Sequence, residues 1–93
     1  MEKFIAKFEK NVSEEVWVQL REFRGHQLLD VRVHFRPDDG SEARPTKKGI
    51  SLSVNLIPKV LEAMQEALQA LKDAGIEPEP SEPDASTPAG TDS

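Results

Sequence analysis

Aromatic and basic side chains share one face of two neighbouring segments, a combination that suits unpaired nucleic acid. Residues 14–23 and 27–36 both alternate between apolar and polar positions, as strands do. Their polar faces carry Trp17, Arg21, Phe23, Arg32, His34 and Arg36. Bases stack on exposed aromatic rings and phosphates bind cations, so the pattern predicts a surface for single-stranded nucleic acid.

Two lysines stand directly before a glycine in the stretch "RPTKKGISLS", residues 44–53. In a functional interpretation, Lys47 and Lys48 bind phosphate, and Gly49 lets the backbone N–H approach the same group. In a structural interpretation, the lysines are only the solvated tip of a hairpin. The residue pattern by itself leaves both interpretations open.

The sequence contains no group of residues that suits catalysis or metal binding. His26 and His34 are separated by about 26 Å along a strand, at ~3.3 Å per residue. The chain has no cysteine, and no carboxylate stands with a histidine at ligand spacing. We therefore predict that the protein is not an enzyme and uses no metal or cofactor.

Three alternating segments and one ambiguous segment must position these side chains. Residues 14–23, 27–36 and 50–54 are predicted strands, joined by a glycine-containing connection and by a turn with the sequence "PDDGSE". Residues 2–9 suit either a strand or a helical turn, and we favour the strand. We expect three or four antiparallel strands in one sheet.

An amphipathic helix is predicted over residues 55–75. Its apolar residues recur every three or four positions: Leu56, Ile57, Val60, Leu61, Met64, Leu68 and Leu71. Asn55 is expected to cap the helix, Pro58 to lie in its first turn and Gly75 to end it. We expect this helix to lie across the apolar face of the sheet or to pack on a partner.

The chain divides into a domain at 1–75 and a tail at 76–93. The domain contains twelve acids and twelve bases, so the five acids of the tail account for the net charge of −5. The tail is rich in proline and acids and poor in apolar side chains, and we expect it to be disordered. No segment has the apolar length of a signal peptide or membrane span, which predicts a soluble cytoplasmic protein without a membrane partner.

Two motifs are similar to those of a known family. They are "REFRGHQLLDVRV", residues 21–33, and "PTKKGISL", residues 45–52, with an apolar helix after the second. In this order and spacing they resemble the single-stranded-DNA-binding domain of the transcriptional coactivator called positive cofactor four, and especially its short bacterial relatives. The resemblance covers roughly residues 14–72.

The resemblance implies an α+β fold, in which a curved four-stranded antiparallel sheet is followed by one C-terminal amphipathic helix, and a homodimer held largely by its helices. It also implies sequence-independent binding of single-stranded DNA, a role in transcription regulation, replication or repair, contact with that machinery, and a nucleoid-associated location. Carried over by position, the nucleic-acid contacts are Phe23, Arg24, Arg32, Phe35, Lys47, Lys48 and Gly49. Arg21 and His26 are further candidates, and the face pattern adds Trp17.

Two of these positions depart from the pattern of the family. Family members from animals carry a stacking tryptophan at the position of Phe35, whereas alternation puts Phe35 on the core side with Val31 and Val33. His26 replaces a lysine of eukaryotic members, so its contact is neutral or pH-dependent.

Other positions have a structural alternative. Trp17 suits a core or dimer contact as well as base stacking, and Phe23 suits a hydrophobic plug at the sheet edge as well as stacking. The cations Arg21 and Arg32 suit pairing with Glu22 or Asp30 as well as phosphate binding.

Two other functions stay open at the level of sequence. The first is RNA binding, because nothing in the sequence distinguishes a ribose 2′-OH. The second is a protein-interaction dimer whose aromatic–basic face docks an acidic partner. The acidic tail either solubilises the protein, or competes with nucleic acid for the basic face or recruits partners.

Overall fold

The computed structural model describes residues 1–79 as one antiparallel sheet followed by a helix. The strands are β1 (Lys3–Asn11), β2 (Glu14–Phe23), β3 (His26–Phe35) and β4 (Arg44–Ser53), and they lie in the sheet in chain order. A short 3-10 helix at Val54–Leu56 leads into helix α1 (Ile57–Asp73). The predicted order of four strands and one helix is confirmed, and the ambiguous segment at 2–9 belongs to a strand.

A two-residue turn joins β2 to β3 and fixes the register of the central strand pair. Arg24 and Gly25 both have positive φ, 51° and 81°. These values are typical of a type I′ turn, whose twist matches that of the flanking strands. Phe23 lies opposite His26, and the pairing continues without a shift to the far ends of both strands. The polar faces of β2 and β3 therefore coincide.

A bulge in β1 separates its two phenylalanines. The register shifts after Phe4, at Ile5. Phe4 contacts Trp17 on the polar face, whereas Phe8 lies opposite Val16 on the apolar face. Simple alternation places both phenylalanines on one face, because it takes no account of the residue that a bulge inserts.

The stretch with the two lysines is a bulge in β4. Opposite the single residue Val33 of β3, strand β4 has three residues, 46–48. The hydroxyl of Thr46 closes the bulge. It donates to the carbonyl oxygen of Val33 at 2.7 Å and accepts from the backbone N–H of Lys48 at 3.1 Å.

Gly49 ends this bulge and brings β4 very close to β3. A Cβ atom at this position would overlap the carbonyl oxygen of Val31 and would lie 2.7 Å from the Cα of Arg32. The backbone of Gly49 also has φ 152°. The glycine that follows the lysines is therefore required by the fold.

The ends of the helical segment differ in part from the expected caps. The Oγ of Ser53 accepts the N–H of Asn55 at 3.2 Å and caps the 3-10 helix. The prediction of Asn55 as the N-cap is wrong, because the chain makes a 3-10 turn before α1 begins. Pro58 lies in the first turn, as expected. Gly75 (φ 77°) and Ile76 donate their N–H groups to carbonyls of the last turn, which is a Schellman ending.

Helix α1 does not lie across the sheet, so the first of the two placements expected from the sequence is wrong. Its main contacts are with the 3-10 helix that precedes it. Its apolar stripe is open to solvent, since Leu61 is 55%, Met64 62% and Leu68 55% exposed. An amphipathic helix gains most of its stability from covering such a stripe, and in a single chain this stripe is uncovered.

One side of the sheet is also left without a covering element. This apolar sheet face consists of Ala6, Phe8, Val16, Val18, Leu20, Leu29, Val31, Val33, Phe35, Ile50 and Leu52. Among residues 1–79, no apolar side chain is buried. The single chain is thus a sheet and a helix without a core between them.

The tail is described only at its beginning. Residues 76–79 have no regular secondary structure, and the expected disorder of the tail otherwise lies outside the described residues. No helix within residues 1–79 has the length and apolar character needed to cross a membrane.

Candidate nucleic-acid interface

The turn between β2 and β3 presents an aromatic ring and a cation side by side. Phe23 is 58% exposed, and the guanidinium of Arg24 lies over its ring, 5.0 Å from the centroid. The contact is a cation–π interaction at an exposed site. Such a pair can offer a ring to a base and a positive charge to the neighbouring phosphate.

An open groove begins at this turn and runs over the polar face of β2, β3 and β4. Its volume is about 380 Å³, and it is lined by Arg21, Glu22, Phe23, Leu28, Asp30, Arg32 and Ser51. Three of the predicted contact residues, Arg21, Phe23 and Arg32, therefore border one depression.

Arg32 is held by hydrogen bonds within this groove. Its Nε and Nη2 atoms donate to the carboxylate of Asp30 at 3.2 and 2.9 Å, and its Nη1 donates to the carbonyl oxygen of Thr46 at 3.2 Å. The hydroxyl of Ser51 donates to the same carboxylate at 2.8 Å. The structural alternative for Arg32, pairing with Asp30, is thus present in the structure.

Asp30 keeps its negative charge although it is only 4% exposed. Burial by itself raises the pKa of Asp30, but the hydrogen bonds from Arg32 and Ser51 outweigh burial and hold the pKa below its usual value. The ion pair is therefore formed at neutral pH.

Trp17 is enclosed by neighbours from its own sheet. His34 stacks on the indole with ring centroids 4.1 Å apart, and Phe4 meets it edge-on at 5.4 Å. The ammonium of Lys7 also lies over the ring, 5.5 Å from the centroid, while the indole N–H donates to Glu15 at 2.8 Å. Of the two roles that the sequence left open for Trp17, these contacts favour the structural one.

Arg36 is paired as well. Its Nη1 donates to Glu15 at 2.7 Å, and its Nη2 donates to the carbonyl oxygen of Val12 at 3.0 Å. Burial raises the pKa of Glu15, yet the hydrogen bonds from Trp17 and Arg36 lower it below the usual value. Glu15 was not predicted as a site residue, although its spacing of two residues from Trp17 puts both on the same strand face.

The two lysines of the β4 bulge differ in their surroundings. The Nζ of Lys48 lies 3.2 Å from the carboxylate of Glu14. Hydrogen bonds from Asn11, Lys10 and Lys48 lower the pKa of Glu14 from 4.5 to about 2. Lys47 is exposed and forms no ion pair within residues 1–79. Of the two lysines, Lys47 is therefore the one without a competing carboxylate in the described residues.

The predicted contact residues do not form one cluster. The exposed His26 joins Phe23 and Arg24 at the turn, whereas Phe35 lies at the far end of β3, about 30 Å away along the strand. Phe35 is 43% exposed and belongs to the apolar sheet face, as alternation predicts. Within residues 1–79, no group of three or more histidine, aspartate or glutamate side chains could hold a metal ion.

The order of four antiparallel strands and one helix, together with the motifs at the turn and the bulge, is that of a transcriptional coactivator domain. Residues 10–63 match the family model described as Transcriptional Coactivator p15 (PC4). Because this match covers more than half of the chain, the chain belongs to the PC4 family.

Individual relatives agree with this assignment. Over 55 residues the chain is 40% identical to an RNA polymerase II transcriptional coactivator of Drosophila melanogaster, an alignment that covers 59% of this chain and 48% of the relative. The chain thus spans about half the length of that relative.

Solved structures of BPSL1147, a PC4 homolog from Burkholderia pseudomallei K96243, have the same fold. The orthorhombic crystal form gives a TM-score of 0.64 at 31% identity, over 70% of this chain and 86% of that one. The tetragonal crystal form gives a TM-score of 0.63 at 30% identity, over 72% and 97%.

Proposed function

We propose that this protein is a homodimer that binds single-stranded DNA without sequence preference and acts in transcription regulation, replication or repair. The observation that carries the proposal is the exposed ring of Phe23, with the guanidinium of Arg24 5.0 Å from its centroid, at one end of a groove lined by Arg21 and Arg32. Membership of the PC4 family supports the same function.

The chemistry of this groove favours unpaired strands. An aromatic ring at the tip of a turn reaches the flat side of a base only when that base is free of its partner. Stacking of this kind accepts any base, because every base has a π-face. The cations at the groove then contact phosphates, whose positions do not depend on sequence. Duplex DNA offers the phosphates without the accessible bases and should bind less tightly.

Uncovered apolar surface supports the homodimer. The apolar sheet face and the stripe of α1 are both open in the single chain, and residues 1–79 contain no buried apolar side chain. A domain of this size without a core cannot offset the conformational entropy lost on folding. In a symmetric dimer each copy covers the same patch of the other, which supplies the missing burial.

The dimer is tested by a charge placed on the stripe. Met64→Glu should yield dissociated and largely unfolded chains in sedimentation velocity and circular dichroism. Gln69→Glu, on the polar side of the same helix, is the matched control and should leave the dimer intact. If both variants sediment as folded monomers, the proposal of a dimer is contradicted.

DNA binding is tested by fluorescence anisotropy with a labelled single-stranded oligonucleotide of about 20 nucleotides, enough for the site sizes of such proteins. Unlabelled single-stranded DNA, duplex DNA and RNA serve as competitors. We expect single-stranded DNA of any sequence to displace the probe and duplex DNA to do so poorly. If RNA competes better than DNA, the substrate is RNA. No binding at about 50 mM salt would contradict the proposal.

A further inference from the structure

We infer that Asp30 and Ser51 form a positioning device, which holds the guanidinium of Arg32 in the orientation in which it contacts a phosphate. The inference rests on the proposed binding of single-stranded DNA and adds two residues that the resemblance to the family does not assign. In this account neither residue contacts the nucleic acid. Both act through Arg32.

The guanidinium of Arg32 is held in place, but two of its N–H donors have no partner in the hydrogen bonds described above. An arginine side chain carries five N–H groups in a rigid planar fork. Three of them are engaged: the Nε–H and one Nη2–H with Asp30, and one Nη1–H with the carbonyl oxygen of Thr46. One N–H on each terminal nitrogen is left for an incoming oxygen. The side chain is 21% exposed and lines the groove, so these two groups are within reach of a ligand.

The partner of Arg32 is itself immobilised. Asp30 is 4% exposed, and its Oδ1 atom accepts from the hydroxyl of Ser51 at 2.8 Å as well as from Arg32. Asp30 and Ser51 are directly opposed residues of β3 and β4, so the sheet fixes their separation. A carboxylate held in this way orients the guanidinium before any nucleic acid arrives. The loss of side-chain freedom then occurs on folding rather than on binding.

The negative charge of a buried carboxylate next to a phosphate-binding cation makes the inference testable. If only net charge mattered, Asp30 would repel a polyanion, and Asp30→Asn would bind single-stranded DNA more tightly. If Asp30 positions Arg32, the same substitution loosens the guanidinium fork and binding becomes weaker. The two interpretations predict opposite signs for one substitution of nearly identical shape.

The experiment measures the affinity of the full chain for a labelled single-stranded oligonucleotide by anisotropy, over a series of salt concentrations. We expect Asp30→Asn to weaken binding by about tenfold and to reduce the salt slope by about 0.7, the value for one lost contact on a single strand. Arg32→Gln should give the same losses. The double variant should lose no more than either single variant, because both substitutions remove one contact. Ser51→Ala, which changes no charge, should also weaken binding, but by less than Asp30→Asn does.

Glu42→Gln is the matched control. It removes a negative charge from an exposed carboxylate that has no ion pair within residues 1–79. Its affinity should equal or slightly exceed that of the wild type.

The results separate this inference from the proposed function. Tighter or unchanged binding by Asp30→Asn, or losses that add in the double variant, would overturn the inference. Circular dichroism shows whether each variant folds. If Asp30→Asn does not fold, an unchanged affinity and an unchanged salt slope in Ser51→Ala would overturn the inference. A wild type that does not bind refutes the proposed function itself, before any variant is compared.

Discussion

The indole of Trp17 and the imidazole of His34 lie almost parallel, with planes 7° apart and ring centroids 4.1 Å apart. The two residues belong to adjacent strands and meet along a diagonal, because the residue directly opposite His34 is Glu15. One face of the chain's single tryptophan is therefore taken by a neighbour. On the same face, the ring of Phe23 at the β2–β3 turn is 58% exposed.

This difference predicts opposite phenotypes for the two aromatic residues. Phe23→Leu keeps the apolar bulk but removes the ring, and should weaken single-stranded DNA binding by about tenfold, in the range for one stacked base. Trp17→Phe should leave the affinity nearly unchanged and lower the free energy of unfolding by about 1–3 kcal/mol, since the buried Glu15 loses its indole N–H donor. Anisotropy and urea unfolding measure the two effects. A larger loss of affinity in Trp17→Phe than in Phe23→Leu would contradict the assignment.

The two lysines of the bulge should differ in their contribution to binding. Lys47→Ala removes a cation without an ion pair in the described residues, and should reduce the salt slope by about 0.7. Lys48→Ala should have a smaller effect, because a phosphate must compete with Glu14 for this side chain. Glu14→Gln releases Lys48 and should raise the affinity. Salt titrations of all three variants provide the comparison, and an unchanged slope in Lys47→Ala would exclude its phosphate contact.

Gly49 should tolerate no side chain. Gly49→Ala forces β4 away from Val31 and Arg32, and should lower the free energy of unfolding by about 2–4 kcal/mol. Gly40→Ala is the matched control. Gly40 also has positive φ, 86°, but its Cβ would meet no atom within 4 Å, so only the backbone strain of about 1 kcal/mol applies. Urea unfolding at equal protein concentration compares them. Equal losses would show that close approach of the strands is unimportant.

Acid should destabilise the fold as the pH falls from about 4.5 towards 2. The pKa of Glu14 is lowered from 4.5 to about 2 in the folded chain, and the pKa values of Glu15 and Asp30 are also below their usual values. The unfolded chain therefore takes up protons first, so the stabilisation is complete above pH 4.5 and is lost as the pH falls. Urea unfolding at a series of pH values measures this loss. Glu14→Gln should show a flatter profile, and an identical profile would contradict the role of Glu14.

The strands and their polar faces could be predicted from sequence because local rules determine them. Alternation identified β2 and β3, and the glycine turn between them keeps the register without a shift. Alternation alone would place Phe4 and Phe8 on one face, whereas one inserted residue in β1 puts them on opposite faces. The bulge at residues 46–48 was likewise hidden, although the motif that contains it was identified.

The free or paired state of each cation could not be predicted from sequence. For Arg32 the sequence left pairing with Asp30 and phosphate binding both open, and Arg36 looked like an open positive charge. In the structure, Asp30 and Glu15 on the same face bind these two arginines. Spacing gives the face of a side chain but not the rotamer that brings two charges together. The placement of α1 across the sheet was wrong for a different reason. A stripe of apolar residues predicts that the helix face is buried, but it does not determine whether the same chain or a second chain covers that face.

Binding of single-stranded DNA of any sequence through phosphate contacts is tested by the salt dependence of the affinity of the wild-type protein. Anisotropy titrations between about 50 and 200 mM salt give the slope of log K against log salt. With Arg21, Arg24, Arg32 and Lys47 each on a phosphate, we predict a slope of about −3 or steeper, at ~0.7 per contact, for any oligonucleotide sequence. A flat salt dependence, or no binding at the lowest salt, would contradict the account.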